Sequence, residues 1–305
     1  MHDEGGGLKA IIAAFLANLA IALAKFVGFV FTGSAALLAE AIHSSADTGN
    51  QGLLMLGRRR ARRPANPEHP FGYGRERFFW SFVVGLVLFS FGAVFALFEG
   101  IEKVREPHEL DSVGWAIGIL VFAIAAEGFS FRTAIHESRP LKGDGSWWQF
   151  IRHAKVPELP VVLLEDFGAL VGLIFALAGV ALAEITGNAR FDAIGSIAIG
   201  VLLAFIAFTL VVEMKSLLIG ESATASQRRL IAEAIERHPQ TSKLIHMRTE
   251  HLGPEELLVG AKIDFGAKIT ATKLAHAIDS VEQSIRAAVP QARVIYIEPD
   301  IYRSP

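Results

Sequence analysis

Apolar stretches recur six times along the chain, at roughly residues 8–31, 34–56, 78–101, 113–135, 159–184 and 192–217, and about 20 such residues are enough to cross a hydrocarbon core. A backbone in lipid must satisfy its own hydrogen bonds, which a helix does locally. The predicted fold class is therefore a membrane α-helical bundle of six transmembrane helices. Composition agrees, since 52% of the 305 residues are hydrophobic and only 20% charged, more apolar than a water-soluble domain of this length requires.

Loop charge sets the expected orientation. Arg58, Arg59, Arg60, Arg62, Arg63, Arg75 and Arg77 fall between the second and third stretches, and Arg132, Arg139, Lys142, Arg152 and Lys155 between the fourth and fifth. Cytoplasmic loops carry such an excess. The opposite loops hold only Lys103, Arg105 and Arg190, so both termini are expected to be cytoplasmic; the expected location is the cell inner (plasma) membrane, as a multi-pass protein, and an organelle membrane fits equally well. The opening MHDEGGGLK lacks the features of a removable signal, and the first span is expected to act as an uncleaved anchor. Residues 140–158 read as a polar loop whose Trp147 and Trp148 rest at the membrane interface. No nucleic-acid partner is expected at a net charge of −2, because the arginine runs already have a topological reason.

Hydropathy collapses after Ile219, which places a boundary near Gly220 between a transmembrane domain (1–219) and a cytoplasmic, ferredoxin-like C-terminal domain (220–305). Leu230, Ile231, Ala234 and Ile235 keep helical spacing and stop at His238-Pro239. Leu244–Thr249 and Leu257–Phe265 read as strands joined at Gly253-Pro254, a helix follows through Leu274, Ala277, Ile278, Val281 and Ile285, and Val294–Ile297 is a last strand. This is a small α+β domain of α-β-β-α-β order. Its thin core leaves one sheet face in need of cover, and a homodimer is expected.

Ionisable side chains inside transmembrane segments are costly and mark pathways or sites. In the second stretch His43 and Asp47 stand four apart, on one helical face, with Glu40 and Gln51 about a turn to either side. The fifth begins VVLLEDFGALVG, so Glu165 and Asp166 lie in an apolar helix, about 100° apart around its axis. The Glu165 face continues through Gly168, Gly172 and Ala176, a small-residue stripe that admits a close neighbour. Either carboxylate can meet His43 and Asp47, and the spacing does not choose. A polar pair that merely braces the bundle gives the same local pattern; two clusters on two helices favour a site.

There is no cysteine, so a metal site must use nitrogen and oxygen. One imidazole with two or three carboxylates suits tetrahedral Zn²⁺, with Fe²⁺, Co²⁺, Ni²⁺ and Mn²⁺ behind it. Protons compete for each ligand, so metal–proton exchange follows. Asn18, Lys25, Glu99 and Glu127 are further polar residues of the spans; Glu99 and Lys25 are expected to form ion pairs or sit near an interface, and Asn18 to hydrogen-bond a ligand at most. His69 and His153 read as solvated loop residues.

With His43-Ser44-Ser45-Ala46-Asp47 and the later His69-Pro70-Phe71-Gly72-Tyr73-Gly74, the chain resembles the cation diffusion facilitator family over nearly its whole length. The resemblance implies a dimeric zinc exporter driven by proton antiport, with His43 and Asp47 as ligands from the second span and Asp166 from the fifth. The family's usual histidine or aspartate four residues before that aspartate is Val162 here, and Glu165 is the candidate replacement, with water as the alternative. The strand histidines of the family's cytoplasmic zinc sites correspond to Ile245, Lys262 and Ile297, so no such site is expected; His246, His251 and His276 read as exposed or structural.

The expected function is a secondary active transporter, not an enzyme: it has no catalytic residues and no cofactor, with Zn²⁺ as transported substrate at His43, Asp47, Asp166 and Glu165. Its expected partners are the metal ion, protons and the lipid bilayer. No phosphate-cradling glycine loop is present. The rival from another class is a membrane-anchored metal sensor or scaffold, though anchoring alone needs no buried His, Asp or Glu.

Overall fold

The computed structural model describes residues 6–32, 35–106, 113–266 and 268–303, with the side chains of 6–10, 17, 25, 28, 29, 31–43 and 46 outside the described residues. Two compact units emerge. One joins Met1–Arg60 to Arg77–Lys215, and the other joins Ala61–Glu76 to Ser216–Pro305.

The first unit is helical throughout: α1 (Gly6–Thr32), α2 (Ala35–Ala61), α3 (Glu76–Val87), a π-helical segment (Leu88–Val94), α4 (Phe95–Arg105), α5 (Val113–Lys142), α6 (Trp147–His153), α7 (Glu158–Thr186) and α8 (Arg190–Ile219). The run from α3 to α4 is one continuous rod with a wider turn in its middle. Among the described residues four helices are long and apolar enough to cross a membrane, namely Glu76–Arg105, Val113–Lys142, Glu158–Thr186 and Arg190–Ile219. Helices α1 and α2 lie over the first two apolar stretches, and α1 contains a shorter apolar run, Ile11–Ala24. Phe91, Phe98, Trp115, Phe129, Ile185 and Phe208 stand more than half exposed on these helices, as side chains do when lipid is the solvent. The chain is a membrane protein with several apolar helices.

The core of this unit is built on the first half of α7, where Glu158 through Asp166 are all buried. Leu54, Val84, Leu159, Val161, Val162, Ile206 and Leu210 pack there. Helices α7 and α8 approach closely through glycine, since a Cβ on Gly195 would sit 3.1 Å from the Phe175 carbonyl oxygen and one on Gly179 3.1 Å from that of Phe191. The stripe through Gly168 and Gly172 faces Leu203, Ile206 and Ile199 of α8.

The expected polar loop at 140–158 is corrected. Residues Trp147–His153 form α6, opened by a capping box in which the Ser146 hydroxyl accepts from the Gln149 amide at 3.1 Å and the Gln149 side chain accepts from the Ser146 amide at 3.0 Å. Phe150 and Ile151 are buried in the core, with Trp147 partly buried against it, while Trp148 stacks on Phe205 at 6.4 Å. The apolar pattern Trp-Trp-x-Phe-Ile overrides the polarity of its flanks.

In the second unit the elements run α9 (Ala225–Glu236), β1 (Lys243–Gly253), β2 (Glu256–Asp264), α10 (Ala271–Ala288) and β3 (Ala292–Pro299). The strands form one sheet of order β1-β2-β3, with β1 antiparallel and β3 parallel to β2. Gly253 pairs with Glu256, so Pro254 and Glu255 make a two-residue turn. Leu257, Val259, Ala261 and Ile263 alternate onto one face of β2 and meet Ile231 and Ile235 of α9 and Val281 and Ile285 of α10.

Candidate functional site

The first half of α7 is enclosed by protein, which explains why both adjacent carboxylates point into the bundle although they diverge around the helix. Glu165 reaches α2. Its Oε1 accepts from Asn50 Nδ2 at 2.9 Å and its Oε2 from Gln51 Nε2 at 3.0 Å. Asp166 reaches α5 instead, where the Ser130 hydroxyl donates to its Oδ2 at 2.7 Å. Glu165 is 5% exposed and Asp166 1%, so these hydrogen bonds replace the ones lost to water.

A cavity of about 160 Å³ opens beside the two. Its polar lining comes from four helices: Asn18 of α1, Ser44 and Asp47 of α2, Glu127 of α5, and Glu165 and Asp166 of α7. Leu88 of the π-helical segment and Leu203 and Ile199 of α8 supply apolar wall; such π turns are frequently found at functional sites. Asp47 is within electrostatic reach of both α7 carboxylates, and Glu127 of Glu165.

Of the four residues singled out in the sequence, Asp47, Glu165 and Asp166 are thus brought to one cavity. His43 lies in α2 one turn before Asp47, with its side chain outside the described residues, as are those of Glu40 and Lys25. Among the described residues no three His, Asp or Glu side chains converge tightly enough to form a ready-made metal cage. Val162 is buried and apolar.

Glu127 is the site residue least marked in the sequence, because no second ionisable residue stands near it at helical spacing in its apolar helix. Glu99 pairs with Lys103 at 3.0 Å, and Lys103 also bonds Asp192 at 3.0 Å. His251 is buried, while His246 and His276 are exposed. Lys262 is ion-paired with Glu298 and Asp300.

The sequence profile of the cation efflux transmembrane domain matches residues 11–219. The chain belongs to the cation diffusion facilitator family. The resemblance carried by His43–Asp47 and His69–Gly74 is thereby borne out. Within the family it is 31% identical to the mitochondrial proton-coupled zinc antiporter of Homo sapiens over 263 residues, 86% of this chain but 46% of that protein. It is 28% identical to metal tolerance protein C4 of Arabidopsis thaliana over 265 residues, 86% of this chain and 58% of the relative. Magnetosome protein MamB of Magnetospira is 26% identical over 291 residues, 93% of this chain and 92% of the relative. The chain therefore spans about half the length of the human relative. The family is one of transporters rather than enzymes.

Proposed function

We propose that this chain is a secondary transporter with six membrane-spanning helices that exports a divalent cation, Zn²⁺ first, in exchange for protons. The observation that carries the reading is the cavity that Asp47 of α2, Glu127 of α5 and Glu165 and Asp166 of α7 line between apolar walls. One carboxylate at bilayer depth costs on the order of 2.5–3.5 kcal/mol, so a group of four calls for a compensating positive charge. A divalent cation compensates them in one form of the protein and protons in the other, which makes exchange of the two the natural cycle. His43 adds the nitrogen that favours zinc over the all-oxygen cations, and the likeness to a proton-coupled zinc antiporter supports the same cargo. The proposed ligands are His43, Asp47 and Asp166, with Glu165 beside them.

The arginine-rich loops support an orientation with both termini cytoplasmic, and the absence of cysteine allows a single Ala65→Cys label to test it; labelling from outside intact cells would reverse the orientation. The outward sheet face, with Tyr296 exposed and Leu258 and Val294 half-buried, supports a homodimer, which a monomeric mass in cross-linked membranes would overturn. A second reading by the same cavity, Mn²⁺, Fe²⁺ or Co²⁺ as cargo, is favoured by its carboxylate-rich lining. Flux into proteoliposomes under an imposed pH gradient tests the function. Zinc uptake coupled to proton movement is expected, abolished in Asp47→Ala and Asp166→Ala. Undiminished flux in both variants would sink the site, and no flux of any divalent metal would sink the reading.

A further inference from the structure

The carboxylates of α7 that line the cavity lie two turns inside the end of the bundle at which α3 and α7 begin. Glu158 and Glu165 are seven residues apart, on one face of α7 and about 10 Å from each other along its axis. Val162 is buried between them on that face, and Leu54, one turn past Asn50 on α2, is buried in the same core. Beyond this apolar layer Arg77 of α3 closes onto Glu158, donating to Oε1 at 2.5 Å and to Oε2 at 2.8 Å, with side chains 8% and 1% exposed. An ion entering from that end meets a filled pair of charges and then hydrocarbon, which it cannot cross without losing its water.

Two hydroxyls beside the pair are left unmet. Ser81 and Ser138 are buried, and among the described residues neither Oγ has a hydrogen-bond partner. Residues four apart share a helix face, so Ser81 lies on the side of α3 that carries Arg77. Ser138 follows Ser130 by eight residues and Glu158 precedes Asp166 by eight. Because α5 and α7 are joined at this end through α6 and run antiparallel, the Ser130–Asp166 bond sets Ser138 level with Glu158. Buried hydroxyls without partners are costly and call for a reason. The helix that carries Arg77 also changes to π winding at Leu88, and Leu88 lines the cavity; a π turn inside a rod is where it bends. We infer that the Arg77–Glu158 pair is a latch, which holds the cavity shut at this end, parts when α3 bends away, and passes its two charges to the hydroxyls of Ser81 and Ser138 in the open form. This rests on the transport reading above and names its moving part. A closure whose charges find partners in both arrangements has two discrete states, as exchange of two cargoes across one site requires.

The chain has no cysteine, so a single Ala169→Cys on the cavity wall reports entry to the cavity in the full-length protein. A membrane-impermeant thiosulfonate is applied to sealed vesicles from the side of the α2–α3 loop, which the Ala65→Cys label identifies. Arg77→Met and Glu158→Gln are each expected to raise the modification rate about tenfold or more, because the shut form loses its latch. The exchanged pair, Arg77→Glu with Glu158→Arg, is expected to bring the rate back to within about threefold of the parent. Should Arg77→Met fail to fold, Arg77→Lys keeps the charge, gives up one of the two bonds and is expected to raise the rate about threefold. Gly200→Ala, which loosens the bundle at another crossing, separates a latch from general weakening and is expected to leave the rate within about twofold. The latch is overturned if the single variants react at the parent rate, if the exchanged pair stays as reactive as they are, or if Gly200→Ala matches them. The thiol rates need no transport, so a wild type that carries no divalent metal removes the transport reading, whereas unchanged rates in a transporting protein remove the latch alone.

Discussion

Arg77 and Glu158 show how much a single pair can carry in this bundle. Arg77 Nε donates to Glu158 Oε1 at 2.5 Å and a second nitrogen to Oε2 at 2.8 Å, with side chains 8% and 1% exposed. Glu158 also sits in the first turn of α7, where the helix dipole favours an anion, whereas Arg77, in the first turn of α3, has that dipole against it. Removing one partner strands the other away from water, so Arg77→Met is expected to cost about 3–5 kcal/mol, while the exposed pair of Arg286 with Glu282 is worth under about 1 kcal/mol. Thermal unfolding in detergent checks this. The idea fails if Arg77→Met and Arg286→Met lower the midpoint equally. The same residue-scale logic explains the cavity, where Ser130, Asn50 and Gln51 satisfy carboxylates that the sequence marks only as two acidic neighbours.

Between helices, contact is set by what is missing from the side chain. A Cβ on Gly100 of α4 would stand 2.9 Å from the Ile197 backbone nitrogen, and one on Gly200 of α8 2.8 Å from that of Leu97. The two glycines are reciprocal, each opposite a residue three positions before the other. Backbone cannot move aside as a flexible side chain can, so Gly200→Ala must push α4 and α8 apart, at about 1–3 kcal/mol. Gly118 of α5 has nothing within 4 Å of its would-be Cβ, and Gly118→Ala is expected to be neutral or to stabilise by up to about 1 kcal/mol. Parallel thermal shifts for the two alanine variants would contradict this account of the α4–α8 crossing. The apolar periodicity of both helices is legible in the sequence, but which glycine meets a backbone is not, because the pairing depends on how far one helix is displaced along the other.

At the scale of the whole chain, the loop that links α2 to α3 folds with the C-terminal elements. Gly74 lies so close to the end of β1 that a Cβ there would come within 2.7 Å of the Leu252 carbonyl oxygen and 3.0 Å of the Gly253 Cα. Arg75 bonds the Glu250 carboxylate and, at 3.5 Å, the Leu218 carbonyl. The Arg75–Glu250 pair is about two-fifths exposed on both sides and contributes under about 1 kcal/mol, so the close approach of the two glycines decides the docking. Tryptic cleavage in the arginine run is expected to rise roughly tenfold in Gly74→Ala and less than about threefold in Glu250→Gln. Equal protection in Gly74→Ala and wild type would refute a docked loop. An arginine-rich loop of this kind reads in sequence as a topology signal alone, since its contact lies some 180 residues away.

What the sequence by itself determined is whatever depends on composition and period. Lipid-length apolar runs, the change to alternating and 3.6-residue patterns after Ile219, the Gly253-Pro254 turn and the costly charges at Asp47, Glu165 and Asp166 all follow from local chemistry that needs no partner to be recognised. Only the tertiary structure decided which helix each charge meets. It gave Glu165 to α2 and Asp166 to α5, brought Glu127 and Asn18 to the same cavity, folded Trp147–His153 into a capped helix against the core, and set glycine against backbone at α4 and α8. The reason is physical. A helix's period says which residues share a face, but the rotation and offset between two helices arise from all their side chains packing at once, and no single segment contains that information.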